Sequence, residues 1–106
     1  SSGNSFVHET ESQVILNGSY NINFTMDLVL KDTGLFDNLA KKLNAPLEIS
    51  PKVVEIFKDG QKKYGSRAWS SMIVKRMEDL NNIDFRASGF PEELTDNEPE
   101  EKGYEI

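Results

Sequence analysis

Phe24, Leu28 and Lys31 stand at i, i+4 and i+7, with Asp32 next in line. On a helix that advances about 100° per residue, this spacing gathers a phenyl ring, an ammonium and a carboxylate toward one end of one element. Such a trio could border a cleft. The cation suits an anionic or carbonyl group, the carboxylate fixes neighbouring donors, and the ring packs on a flat or apolar ligand. Plainer readings stand beside it. Lys31 could pair with Asp27, an acid four residues before a base. Asp32 could cap a helix that restarts after a break at Thr33-Gly34, or accept a hydrogen bond from a neighbouring helix. Asp32 also falls within the arc of Phe24, Leu28, Leu35, Phe36, Leu39 and Leu43. If that arc faces the core, the carboxylate must be held by partners, because burying a bare charge is costly.

Other chemistries find little support. His8 lies among Glu9 and Glu11 without suitably spaced companions, so no metal site is expected. Ser70-Ser71 has no histidine near it to act as a base. The seven glycines form no G-x-G-x-x-G pattern, so the chain has no dinucleotide-binding turn of its own. Trp69, Met72 and Met77 read as core residues. With no cysteine there is no disulfide framework and no thiolate nucleophile. The formal charge of −6 over 106 residues leaves no basic stripe and argues against nucleic acid as a partner. No apolar run is long enough to cross a bilayer and no signal peptide is evident. An acidic chain without cysteine fits the cytoplasm. It opens on Ser1 without a methionine, as part of a longer protein would.

The elements that carry these residues read as helices. Ser5 caps a short helix running to Gln13, and Asn17-Gly18-Ser19 breaks the chain. A long helix starts at Phe24 or Thr25 and ends near Asn44, with Pro46 as the stop. Met26, Val29, Leu30 and Ala40 lie outside its main stripe, so more than one neighbour is expected to cover it. Ser50-Pro51 starts the next helix with a capping hydroxyl and a proline at the first helical position. It carries Val53, Val54, Phe57, Gly60 and Tyr64 and stops at Gly65. A further helix begins near Ser66, places Trp69, Met72, Ile73, Met77 and Leu80 on one face, and closes at Asn81-Asn82. No strand alternation is found. The expectation is an all-α bundle over residues 1–83 and an irregular acidic tail over 84–106, with 95–102 mobile or dependent on a partner.

From these residues a resemblance follows. The run from Phe24 to Leu35, F-x-x-x-L-x-x-K-D-x-G-L, resembles the C-terminal domain of β-hydroxyacid dehydrogenases, the relatives of 3-hydroxyisobutyrate dehydrogenase and tartronate semialdehyde reductase within the 6-phosphogluconate dehydrogenase superfamily. The opening Ser1-Ser2-Gly3-Asn4-Ser5 and the run APLEISPKVVEIFKDGQKKYG are similar as well, and the likeness extends to about Leu80. Thr33 replaces the family's usual leucine, and Ala68 stands where it often has an aspartate.

The resemblance implies an all-α C-terminal domain of an NAD(P)-dependent oxidoreductase that moves a hydride between a small hydroxyacid and nicotinamide. It implies Lys31 as a cofactor-binding residue and Phe24 and Asp32 as substrate-pocket residues, with no catalytic residue in this chain. The glycine-rich turn and the catalytic lysine would belong to an N-terminal Rossmann domain and a linking helix. This chain alone should therefore be inactive, with NAD or NADP bound mainly by the other domain. Homodimers or homotetramers are implied too. A non-catalytic helical dimerisation module that keeps the K-D element for packing only is the alternative.

Overall fold

The computed structural model describes residues 2–94 and 103. Among them the chain forms α1 (Phe6–Asn17), α2 (Met26–Lys42), α3 (Ser50–Tyr64), a 3-10 turn (Ser70–Val74) and α4 (Lys75–Asn81), and no strand. The expected all-α architecture is what is found. The acidic stretch 95–102 lies outside the described residues.

Local chemistry accounts for most boundaries. The Ser5 hydroxyl accepts the His8 N–H at 3.0 Å and caps α1. Gly18, at φ 93°, ends α1 by donating its N–H to the carbonyls of Val14 and Ile15. The helix runs four residues past the expected Gln13. Thr33 folds its hydroxyl back onto the Val29 carbonyl at 2.8 Å, so α2 continues through Thr33-Gly34 without the break considered for it. Ser50 does not cap α3. It is the first helical residue, after Ile49, and its hydroxyl donates to Asp37 Oδ1 at 2.6 Å, tying the start of α3 to α2.

The helix expected from Ser66 onward is interrupted. Trp69 is extended, and an isolated antiparallel bridge joins it to Thr25. The reason lies in α2, whose first N–H groups have no partners within the helix. Met26 N–H donates to the Ala68 carbonyl at 2.9 Å and Asp27 N–H to the Ser66 carbonyl at 3.0 Å. Residues 66–69 serve the end of α2 instead of coiling. The helical register then restarts through the 3-10 turn, and this rotation turns Met77 and Leu80 outward and Glu78 inward.

The core forms where α2, α3 and the 3-10 turn converge. Val14, Tyr20, Met26 and Ala40 are buried, with Met26 fully enclosed. Gly60 lets α3 approach closely: a Cβ there would lie 2.8 Å from Ile73 Cδ1 and 3.2 Å from Met26 Cε. Arg76 reaches from α4 to Asp59 of α3 at 2.6 Å, and the Tyr64 hydroxyl donates to Asp79 at 2.7 Å, so α3 and α4 are clasped by polar contacts.

One expectation is reversed. The inward side of α2 carries Met26, Val29, Leu30, Thr33, Asp37 and Ala40, all buried or half-buried. The arc of Phe24, Leu28, Leu35, Phe36, Leu39 and Leu43 faces out, from 37% exposed at Phe24 to 68% at Leu43, and Asp32 goes with it. The smaller side chains of the inner arc permit close packing on α3, which the larger arc would hold apart.

Candidate functional site

The outward half of α2 is the place to build from. At about 100° per residue, Leu28 and Leu35 share a line along this half, with Lys31 on one flank and Asp32 on the other. Phe24 lies outside the helix, two residues before its start at Met26 rather than within it as expected. Lys31 and Asp32 are exposed, and neither side chain makes an ion pair or hydrogen bond among the described residues. Asp32 is therefore not a buried carboxylate held by donors. It neither caps a restarted helix nor bonds a neighbouring one.

The Asp27–Lys31 pair is also absent. Asp27 accepts from the Thr25 hydroxyl and from the Leu28 N–H at 3.0 Å, and it faces Arg67 at 3.5 Å. The Thr25 hydrogen bond is the main reason that its carboxyl is held below the usual carboxylate range. Asp27 thus secures the start of α2 and leaves Lys31 unpaired.

Phe24 sits at the mouth of the α1–α2 connector with its ring partly exposed. Its backbone is firmly held, because the carbonyl accepts the Ser70 N–H at 2.7 Å. Beside it opens a surface cleft of about 520 Å³ lined by Asn21, Ile22, Asn23, Trp69, Glu93 and Leu94.

A second constellation had no signal in the helical periodicity. The Glu78 carboxylate is 1% exposed. Its Oε1 accepts the Tyr20 hydroxyl, and Arg86 Nη1 lies 3.2 Å from Oε2. Arg86 Nη2 donates to the Tyr20 oxygen at 2.7 Å, and the guanidinium lies 5.1 Å from the centre of the Tyr20 ring. Burial pushes the Glu78 carboxyl upward, but hydrogen bonds from Tyr20 and Arg86 and the arginine's charge outweigh it and hold the group low. Tyr20 is pushed up to about 12, first by burial and then by its bond to Glu78. The sole clue in the sequence is that Arg86 is the one cation in residues 83–94. That segment has no regular element. It is tied to the end of α1 by Ala87 N–H to the Leu16 carbonyl at 3.0 Å and Asn17 Nδ2 to the Phe90 carbonyl at 2.9 Å.

The remaining candidates are placed as follows. His8 is exposed, and among the described residues no group of three or more histidine and carboxylate side chains converges on a metal position. Ser71 is fully buried, its hydroxyl spent on the Tyr20 carbonyl at 2.8 Å. No helix of the described residues is long and apolar enough to cross a membrane.

Comparison with known proteins bears on what this surface is for. The family model described as "NAD-binding of NADP-dependent 3-hydroxyisobutyrate dehydrogenase" matches residues 1–77. The chain is 31% identical over 84 residues to 2-(hydroxymethyl)glutarate dehydrogenase of Eubacterium barkeri, an alignment that covers 78% of this chain and 28% of that enzyme. It thus spans under a third of the length of that curated relative. No solved structure matches.

Proposed function

The chain belongs to the NAD-binding domain family of NADP-dependent 3-hydroxyisobutyrate dehydrogenases, and we propose that it is the C-terminal, cleft-closing domain of a β-hydroxyacid dehydrogenase. The cofactor class of the family is a nicotinamide dinucleotide, NAD(P). The residues present fit one wall of a site for it. Lys31 offers an exposed ammonium with no carboxylate partner among the described residues, suited to a phosphate or a carbonyl oxygen. The phosphate cradle itself, a glycine-rich turn at a helix N-terminus, has no counterpart in this sequence.

In this reading Lys31 helps to hold the cofactor. Phe24 and Asp32 border the hydroxyacid, Phe24 by excluding water and Asp32 by orienting polar neighbours. When bound, NAD(P) supplies the hydride acceptor or donor. Proton transfer falls to the catalytic lysine that the resemblance assigns to an N-terminal dinucleotide-binding domain and its linking helix. That domain is the first proposed partner. A second copy of the chain, in a homodimer or homotetramer, is the other, and the cytoplasm is the proposed location. The observation that carries the reading is the outward half of α2, where a free lysine and a free aspartate flank a line of apolar side chains open to the surroundings.

The test is turnover. The intact protein, with its N-terminal domain, is assayed with NAD and with NADP against 3-hydroxyisobutyrate and 2-(hydroxymethyl)glutarate. Reduction of cofactor by the intact protein, and none by this chain alone, is expected. An intact protein that reduces neither cofactor while this chain elutes as a stable dimer would instead identify a dimerisation module.

A further inference from the structure

We propose that Tyr20, Glu78 and Arg86 form a positioning network that sets Phe24, and with it the hydroxyacid side of the site, from behind. The proposal rests on the reading of Phe24 given above. It starts from the connector between α1 and α2. In those few residues two non-glycine positions, Tyr20 at φ 55° and Asn23 at φ 59°, adopt the left-handed conformation. Asparagine tolerates that conformation, but for tyrosine it is unfavourable and persists only where the surroundings over-determine it.

Here they do so from one place. The Ser71 hydroxyl donates to the Tyr20 carbonyl at 2.8 Å, and the adjacent Ser70 N–H donates to the Phe24 carbonyl at 2.7 Å. The 3-10 turn therefore grips both ends of the segment 20–24. The Tyr20 side chain supplies the third hold, through its hydroxyl to Glu78 on α4 and to Arg86 beyond it.

The choice of an ion pair around a buried carboxylate for that hold is informative. A Glu–Arg contact with the carboxylate enclosed and the guanidinium 35% exposed is a weak source of net stability, because the carboxylate loses its water. What it supplies is direction: the Tyr20 oxygen meets one acceptor and one donor, and its ring lies under the guanidinium. An apolar side chain at position 20 would fill the space without fixing the orientation. The cleft of about 520 Å³ lined by Asn21, Asn23 and Trp69 is built from the same segment, so its shape depends on the same hold.

Two readouts on the intact protein test this. Tyr20→Phe removes the hydroxyl and keeps the ring, whereas Glu78→Gln keeps an acceptor for that hydroxyl. With 3-hydroxyisobutyrate and NADP as probes, Tyr20→Phe should raise the hydroxyacid KM about five- to tenfold, with kcat and the cofactor KM little changed. Glu78→Gln should retain most of the parent behaviour. In a Phe24→Ala background, Tyr20→Phe should change the KM no further, since a residue acting through Phe24 has nothing left to act on.

The second readout needs no substrate. Amide exchange at Ser70 and Met26 should rise about tenfold in Tyr20→Phe while α3 keeps its protection. An unchanged exchange pattern, or equal loosening throughout, overturns the proposal. So does an unchanged KM in a turning-over enzyme, or an equal KM effect with and without Phe24. If Phe24→Ala alone leaves the KM unaltered, the reading of Phe24 falls and this proposal with it. If Phe24→Ala raises the KM and Tyr20→Phe does not, only the proposal falls.

Discussion

Replacing Glu78 with alanine removes a carboxylate that is 1% exposed and leaves two former partners behind. Breaking a buried ion pair by deleting one member costs about 3–5 kcal/mol when the survivor is stranded. Arg86 is not stranded, because its side chain remains 35% exposed and Nη2 still donates to the Tyr20 oxygen at 2.7 Å. The Tyr20 hydroxyl loses its acceptor and the site gains a small void. Together these set the loss at about 2–3 kcal/mol. In a domain of this size that is roughly 10 °C or more in melting midpoint.

Urea unfolding at neutral pH, followed by helical circular dichroism, measures it. Glu78→Gln, which keeps an acceptor, should lose about half as much. The pH dependence follows from the sign of the shift. The Glu78 carboxyl is lowered from its ordinary 4.5, so its stabilisation is full above that value. It is lost as pH falls through the lower folded value. The gap between the parent and Glu78→Gln should therefore be constant from pH 8 to 5 and narrow in more acid solution. An alanine variant within about 0.5 kcal/mol of the parent, or a gap that ignores pH, would refute the reasoning.

Three further outcomes are expected. Met26→Ala, at a fully enclosed position against Gly60 and Ile73, should cost about 2–5 kcal/mol in denaturant unfolding. Asp32→Ala should leave stability within about 0.5 kcal/mol, because the side chain is exposed, while lowering hydroxyacid turnover in the intact enzyme. A combined melt and kinetic assay separates the two effects. The outward row of Leu28, Leu35, Phe36, Leu39 and Leu43 should make the chain self-associate, and light scattering that finds a clean monomer at high concentration would count against it.

The parts of the fold that the sequence announced are those with local causes. Ser5 with its capping hydroxyl, Gly18 with its left-handed turn, Pro51 with its fixed φ and Gly65 mark helix ends, and α1 and α3 lie where those marks put them. The facing of α2 was not legible in the same way. Its sequence has two opposed apolar arcs, and periodicity alone selects the richer one. Packing selects the inner arc of Met26, Val29, Thr33 and Ala40, because small side chains let α3 come close.

The register change at Trp69 was hidden for a similar reason. Its cause is the need of α2's first N–H groups for the Ser66 and Ala68 carbonyls, about forty residues away in sequence. Tyr20, Glu78 and Arg86 come from three separate segments, with no spacing rule to join them. Lys31, Asp32 and Phe24 were singled out through a short motif that resembles a family's. Their exposure accords with a surface that another domain covers, and it removes the reason first given for the carboxylate, namely burial.

Lys31 offers the most direct trial of the cofactor assignment. The dissociation constants of NADPH and NADH are measured by titration for the intact protein and its Lys31→Ala variant, with thermal midpoints taken alongside. A lysine that pairs with the dinucleotide makes a charge-assisted contact that water replaces poorly, so the variant should bind about tenfold more weakly. Because Lys31 is exposed and unpaired in the fold, its melting midpoint should stay within about 1 °C of the parent. Equal dissociation constants for both cofactors in parent and variant would contradict the assignment.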